Sequence, residues 1–313
     1  GRQDGLPERT EVSLPLTVIG GYLGAGKTTV LNHLLANNDG LRIAALVNDF
    51  GDINIDADLI RSADGETIAL TNGCACCTLA DGLTTVLAAL RERSGDFDHM
   101  VIESSGVADP LKIGHTGAAF GFPLVGVVVV VDADAVRTQS TDKYVGDTVL
   151  RQLGSADLLI VNKADLVAND ELESLQSWLT DTAPDTPVLT TQGGRVDTAI
   201  LLAPLRASDA SAVEGAHDSF DSWSFRSDTP LRRSDVDAFL TALPPGVVRA
   251  KGILRLADDA TTDYLLQRVG RRTSLLPLGA VSADDPADTR LVVIGVPGSI
   301  DGELFAQRLN GAV

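Results

Sequence analysis

Apolar positions in the first two thirds of the chain gather into short, nearly unbroken aliphatic runs: LTVIG, RIAALVND, HMVIES, LVGVVVVVD and DLLIVNK. Helical patterns lie between them, TTVLNHLLAN after the first run and residues 83–93 ahead of HMVIES. Strands covered on both faces read as continuous hydrophobic runs, so this alternation predicts an α/β fold, a mainly parallel sheet with helices on both sides. From about Ala203 the texture changes to small polar residues without periodicity, ASDASAVEGAHD, which predicts a linker over 206–218. Beyond it SWSFR, RRSDVDAFLTAL, VVRAKGILRLA, TDYLLQRVG, TSLLPLG, RLVVIGV and DGELFAQRLN read β-α-β-β-β-β-α. Consecutive strands of this kind predict a smaller α+β domain with a largely antiparallel sheet over 219–313. Residues 1–13 carry no apolar core and read as a disordered tail, not a signal peptide, which leaves 14–205 for the first domain.

A length of 313 residues suits this two-domain division. Lys and Arg number 25 against 43 Asp and Glu, a net charge of −18, so an extended phosphate backbone would be repelled and nucleic acid is not an expected partner. The longest apolar run, residues 125–131, is too short to span a bilayer, and the expected location is the cytoplasm, with no membrane partner. Cysteine alters the picture most. The chain has three, all in the stretch NGCACCTLADG as Cys74, Cys76 and Cys77. An odd number crowded into four positions makes no framework of long-range disulfides and points to metal binding or redox work.

GYLGAGKT, residues 21–28, fits G-x-x-x-x-G-K-[ST], with a strand entering and a helix leaving it. In this P-loop Gly21, Gly24 and Gly26 let backbone amides close around phosphate oxygens, with Ala25 and Thr29 in the same cradle. Lys27 is expected on the β and γ phosphates and the Thr28 hydroxyl on Mg²⁺. Asn162-Lys163-Ala164-Asp165 follows the strand DLLIV, at the strand end where open α/β sheets bind ligands. The Asp165 carboxylate can accept from the N1–H and N2–H₂ donors of guanine, a pair that adenine lacks, which selects GTP over ATP. Asn162 would hold the loop and the stem of Lys163 would lie along the base. Between these motifs HMVI delivers Glu103, a carboxylate suited to orienting the Mg²⁺ shell or the attacking water, and Gly106 leaves room for a backbone amide to meet the γ phosphate. Ser104, Ser105 and Asp109 are alternatively helix caps. Asp49, in VNDFGD, is either a switch residue sensing the γ phosphate or turn chemistry.

GGYLGAGKTT, VNDFGD, NGCACCTLADGL, ESSGVADP and NKAD, in this order and spacing, resemble the CobW-like metallochaperone GTPases, relatives of the nickel-insertion GTPases that serve urease and hydrogenase. The likeness extends to RAKGILRL and RLVVIGV, which look like strands of the family's C-terminal domain. Asp49 stands where the family usually has Glu, Ser104-Ser105 where Thr-Thr is common, and no His-rich segment is present. The resemblance implies that Cys74, Cys76 and Cys77 bind a transition metal. Thiolates are soft ligands that suit Zn²⁺ and also serve Co²⁺. The three converge only if the backbone turns, since on a straight strand Cys77 points away from Cys74 and Cys76. Buried packing and a redox couple from Cys74 to Cys77 are the competing readings. His33 is expected on a helix surface, and His99, His115 and His217 are assigned no role.

These readings combine into one expectation: a slow, Mg²⁺-dependent GTPase that binds zinc, or cobalt, in a nucleotide-dependent way and delivers it to a client metalloprotein. With no arginine recognisable as a finger, a client or a second protomer in a homodimer is the expected source of missing groups. Alternatives are a nucleotide-gated metal sensor without delivery and a P-loop small-molecule kinase.

Overall fold

A computed structural model describes residues 14–38, 40–47, 60–61, 67–68, 79–202, 220–280 and 289–311. Asp49, Cys74, Cys76, Cys77, the 1–13 tail and the 206–218 linker lie outside the described residues.

The aliphatic runs form a six-stranded parallel sheet in the order β2-β5-β1-β6-β7-β8. Its strands are β1 (Leu16–Gly20), β2 (Ile43–Val47), β5 (His99–Glu103), β6 (Leu124–Asp132), β7 (Leu158–Asn162) and β8 (Val188–Thr190), and the short β3 (Ile60–Arg61) and β4 (Thr67–Ile68) pair separately. The helices are α1 (Lys27–Ala36), α2 (Leu79–Glu92), α3 (Pro110–Ala119), α4 (Val136–Thr141), α5 (Gly146–Ser155), α6 (Asn169–Thr182) and α7 (Thr198–Leu201). Two apolar layers enclose the sheet. Val18, Met100, Val127, Val129 and Leu159 belong to one, with Leu87, Ile113, Val149 and Leu175 from the helices. Ile19, Val101, Val128, Val130 and Ile160 belong to the other, with Val30, Leu34 and Ile200. Side chains alternate along a strand, so a run apolar at every position has a partner layer on each side.

The chain leaves β1 toward β2 on one side and later returns to β6 on the other, so the direction of winding reverses beside β1. Open sheets bind ligands at such a switch point, beyond the carboxyl ends of the strands. Parallel register brings those ends together: Ile19 pairs with Glu103, Glu103 with Val47, and Asp132 with Asn162.

The C-terminal sheet is antiparallel and five-stranded, in the order β12-β11-β10-β13-β9. It comprises β9 (Asp221–Ser227), β10 (Val247–Leu256), β11 (Asp259–Val269), β12 (Arg272–Ala280) and β13 (Thr289–Gly295), with α8 (Arg233–Thr241) and α9 (Gly302–Leu309). One face packs on the helices through Leu254, Leu266, Leu291, Val293, Phe239 and Phe305. The other sends Val248, Val269, Val292 and Ile294 into the same apolar layer as Ile19, Val128 and Leu158 of the parallel sheet. The β11–β12 turn closes the junction. Asp157, just ahead of β7, accepts hydrogen bonds from Val127 N at 2.9 Å and from Arg272 Nε, with Arg271 3.8 Å away.

Candidate functional site

The turn from β1 into α1 is built on glycine for a reason that differs by position. Gly21 (φ 134°), Gly24 (φ 78°) and Gly26 (φ 98°) all take backbone conformations that L side chains disfavour. At Gly21 a Cβ would also meet the Val130 carbonyl oxygen at 2.1 Å, and at Gly26 the Asn162 Nδ2 at 2.2 Å. Gly26 precedes α1 in a left-handed conformation and offers no side-chain cap, and no acidic residue stands in the first turn. The helix therefore presents its first N–H groups and the positive end of its dipole without a side-chain cap or an acidic residue of its own first turn against them.

Lys27 is buried and its Nζ donates to the Tyr22 carbonyl at 3.4 Å, curling over the loop. Thr28 is exposed, and its Oγ1 donates to Glu103 Oε1 at 2.7 Å. Glu103, the last residue of β5, is only 5% exposed, so a buried carboxylate fixes the hydroxyl that the P-loop presents. Two hard oxygens from neighbouring elements thus stand together beside a lysine and a helix N-terminus. Such a set can hold a polyphosphate and its divalent cation.

After Glu103, Ser104 and Ser105 are buried and their hydroxyls have no hydrogen-bond partner. Neither caps a helix. Asp109 is the cap, its Oδ1 accepting from Leu111 N and Lys112 N at the start of α3. Gly106 is required for space, because a Cβ there would lie 2.4 Å from Leu23 Cδ2 in the P-loop. Sequence reasoning missed Gln152 of α5. Its Nε2 donates to the carbonyls of Gly106 (3.2 Å) and Ala108 (2.8 Å) and so pins this turn, but a glutamine in the helical stretch LRQLG carries no signal of that.

Asn162 is 3% exposed and works as a clamp. Its Nδ2 donates to the Ala25 carbonyl at 3.0 Å, and its Oδ1 accepts from Gly194 N at 3.0 Å. It ties the P-loop to a loop after β8 that sequence reasoning also passed over. The pair Gly193-Gly194 in TTQGG is the available signal: both have positive φ, and a Cβ at Gly194 would lie 2.8 Å from Val30 N and 3.1 Å from Thr29 Cγ2 of α1. Ala164 N donates to the Thr191 carbonyl at 3.2 Å, which joins this loop to the NKAD turn. Lys163 takes φ 61°, and its ammonium is 2.6 Å from Asp132 Oδ2 at the end of β6. Asp165 is exposed in the short 3₁₀ turn Ala164–Leu166.

The structure thus brings together Gly21, Gly24, Ala25, Gly26, Lys27, Thr28, Thr29, Glu103, Gly106 and Asn162, with Lys163 and Asp165 on the adjoining turn. Among the described residues no group of three or more His, Cys, Asp or Glu could hold a metal ion, and the cysteines and Asp49 lie outside them. His33 is half-buried in the last turn of α1 beside Asn37, whereas His99 is fully buried with Nε2 2.9 Å from Thr17 Oγ1. No helix among the described residues is long and apolar enough to cross a membrane.

Comparison with known proteins agrees with this architecture. Residues 15–190 match the model of the CobW/HypB/UreG nucleotide-binding domain, and residues 220–313 match that of the cobalamin synthesis protein CobW C-terminal domain. The zinc chaperone CobW of a Sinorhizobium species is 32% identical over 335 aligned positions, covering 90% of this chain and 93% of that one. The zinc chaperone CobW of Pseudomonas aeruginosa is 31% identical, covering 99% and 94%. Among solved structures, Zn(II)-bound YjiA GTPase from E. coli is 26% identical, covering 96% of this chain and 99% of that one with a TM-score of 0.43. The chain belongs to the CobW/HypB/UreG family and carries both the nucleotide-binding domain and the CobW C-terminal domain.

Proposed function

We propose that this protein is a GTP-hydrolysing metallochaperone, which binds a transition metal, zinc foremost, at Cys74, Cys76 and Cys77 while its nucleotide state sets the affinity, and then passes the ion to a client metalloprotein. The bond between Thr28 Oγ1 and Glu103 Oε1 carries the nucleotide half, because it sets a hydroxyl and a buried carboxylate side by side beneath an uncapped helix start. Both are hard oxygen donors and fit Mg²⁺, whose bound charge offsets that of the β and γ phosphate oxygens.

The chain's own groups divide the remaining work. The N–H groups of residues 24–28 cradle phosphate, and Lys27, leaving the Tyr22 carbonyl, places a cation on the β and γ oxygens. Glu103 holds the Thr28 proton and orients water on the γ side, and the Gly106 amide meets the γ phosphate from the opposite wall. Asp165 accepts the two guanine donors, and Asn162 keeps the P-loop in register with the loop that borders the base. Asp132 anchors the Lys163 ammonium and so leaves the lysine stem to lie along the base plane.

The cargo half rests on the three clustered thiols and on two relatives named zinc chaperones. Three thiolates leave a zinc shell one ligand short, which suits an ion that is handed on. Asp49 and the cysteines lie in sequence between the P-loop and Glu103, so a γ phosphate that orders this segment changes the metal site, and metal must in turn change nucleotide affinity by the same factor.

The test is a competitive Zn²⁺ titration with Mg²⁺ and either GDP or a non-hydrolysable GTP analogue, on the wild type and on a Cys74→Ala/Cys76→Ala/Cys77→Ala variant. Tight binding that needs both analogue and cysteines supports the proposal; equal affinity in both nucleotide states removes the coupling and leaves the GTPase. Activation of a metal-free client beside a competing chelator then separates delivery from sensing.

A further inference from the structure

The face of the C-terminal sheet turned away from α8 and α9 is strongly basic. Cross-strand register sets Arg226, Arg249, Lys251, Arg255, Arg272 and Arg290 on this one face, in a chain whose net charge is −18. Arg255 pairs with Asp263 and Arg272 with Asp157.

Arg249 stands apart. It is 1% exposed and directly opposite Val269 on one neighbouring strand and Ile294 on the other, both of which belong to the apolar layer shared with the parallel sheet. Its Nε, Nη1 and Nη2 all lack a hydrogen-bond partner. Gln267 is diagonal to Arg249 on β11 and 0% exposed, and neither its Nε2 nor its Oε1 is partnered. Ser274, directly opposite Gln267 on β12, has a buried, unpartnered hydroxyl. Diagonal residues on one sheet face are within reach of long side chains. Six polar atoms of three adjacent side chains are therefore buried and unsatisfied on one face. Native proteins seldom tolerate this, and a buried charge ordinarily has a counter-ion or hydrogen bonds. Burial lowers the Arg249 pKa to about 9, which still leaves the guanidinium charged at neutral pH.

We infer that Arg249, Gln267 and Ser274 form a buried site for a small protonated oxyanion of the inorganic phosphate class, in the layer between the two sheets. A planar guanidinium donates two parallel N–H bonds to an oxyanion, and Gln267 Nε2 and the Ser274 hydroxyl add donors from neighbouring strands. Gln267 Oε1 needs a donor in return. Hydrogen phosphate keeps an O–H at neutral pH and supplies it; sulfate and chloride do not. The enclosure selects an ion over a peptide, because the polar atoms of all three side chains are out of reach of solvent. The site is separate from the P-loop and does not depend on the reading of that loop.

The experiment follows the thermal unfolding of the full chain against phosphate, sulfate and chloride at constant ionic strength, for the wild type, K27A, R249M and Q267L. A P-loop also binds phosphate, which is why K27A is included. The site requires a saturable rise in Tm with phosphate that exceeds the rise with sulfate, persists in K27A, and is lost in R249M and weakened in Q267L. An unchanged response in R249M, or a response abolished by K27A alone, overturns it. R249K retains the charge without the fork and guards against a misfolded R249M: phosphate affinity about tenfold or more below wild type sustains the site, and equal affinity refutes it.

Discussion

Replacing Asn162 with alanine tests whether one buried amide holds the nucleotide pocket together. The substitution removes two hydrogen bonds of 3.0 Å each, leaving the Ala25 carbonyl and the Gly194 N–H without that partner. A buried backbone group that loses its partner costs about 1–3 kcal/mol, so the pair sums to about 2–6 kcal/mol. Water entering the vacated space recovers part of this, and a loss of about 2–4 kcal/mol is expected, a large share of a domain stability of about 5–15 kcal/mol. The two tryptophans make the effect readable. Trp178 lies in α6 against the parallel-sheet core, and Trp223 lies in β9 among Phe225, Phe239 and Phe305. In a Trp223→Phe background, urea unfolding followed by fluorescence is read through Trp178 in the first domain. With m of about 2 kcal/mol/M, N162A should unfold at a midpoint about 1–2 M lower. Its GDP affinity should also fall at least about tenfold, because the freed P-loop pays an ordering cost on binding. A stability within about 0.5 kcal/mol of the parent at unchanged m, the range of an ordinary surface substitution, would refute the clamp.

Three further outcomes are expected. Glu103→Gln keeps the size of the side chain and removes the charge that faces Thr28, so single-turnover GTP hydrolysis should drop at least about 10²-fold while GDP affinity stays within about tenfold; undiminished hydrolysis would exclude Glu103 from the chemistry. Gly106→Ala forces a Cβ to 2.4 Å from Leu23 Cδ2 and 2.8 Å from Leu23 N, an overpacking of about 1–3 kcal/mol. Leu23→Ala relieves the first clash and not the second, so a double-mutant cycle by urea unfolding should show partial rescue. Burial raises the Asp157 pKa above its ordinary 3.8 against the opposing pull of Arg272, so the folded chain holds this proton more tightly than the unfolded one. That contribution to stability is present at low pH and lost as pH rises through the raised value. Wild type should therefore gain on Asp157→Asn as pH falls from neutral toward the ordinary carboxylate value, and a difference that is flat with pH counts against it.

What the sequence disclosed depended on how local each signal was. The strands were legible because burial on both faces leaves a continuous aliphatic run, and the P-loop because three glycines, a lysine and a threonine have fixed spacing. Helix α3 was hidden by its composition. Gly114 and Gly117 lower helix propensity, yet a Cβ at Gly114 would meet Leu124 Cδ2 at 2.6 Å and one at Gly117 would meet Leu16 Cδ2 at 2.3 Å, so close packing on the sheet overrides propensity. The roles of Asp132 and Gln152 depend on partners 31 and 44–46 positions away and have no local trace. Ser104, Ser105 and Asp109 were all available as caps in the alternative reading of this motif, and Asp109 alone takes the role because the chain extends to it before α3 begins.

The junction between the sheets did leave a trace, in a glycine that no turn requires. Gly126 interrupts LVGVVVVVD, and a glycine inside a buried strand marks a place where other atoms come close. A Cβ there would lie 2.9 Å from Val269 Cβ of β11, and across the junction a Cβ at Gly270 would lie 1.6 Å from the Asp157 carbonyl oxygen. Gly126 stands near the amino end of β6 and Asp132 at its carboxyl end, while Asp157 and Asn162 bracket β7 in the same sense. The two strands that the C-terminal sheet contacts at their starts are thus those that carry the Lys163 anchor and the P-loop clamp at their ends. The β6–β7 pair therefore joins the Asp157–Arg272 contact at one end of the sheet to Asp132 and Asn162 at the other through one continuous, hydrogen-bonded ladder.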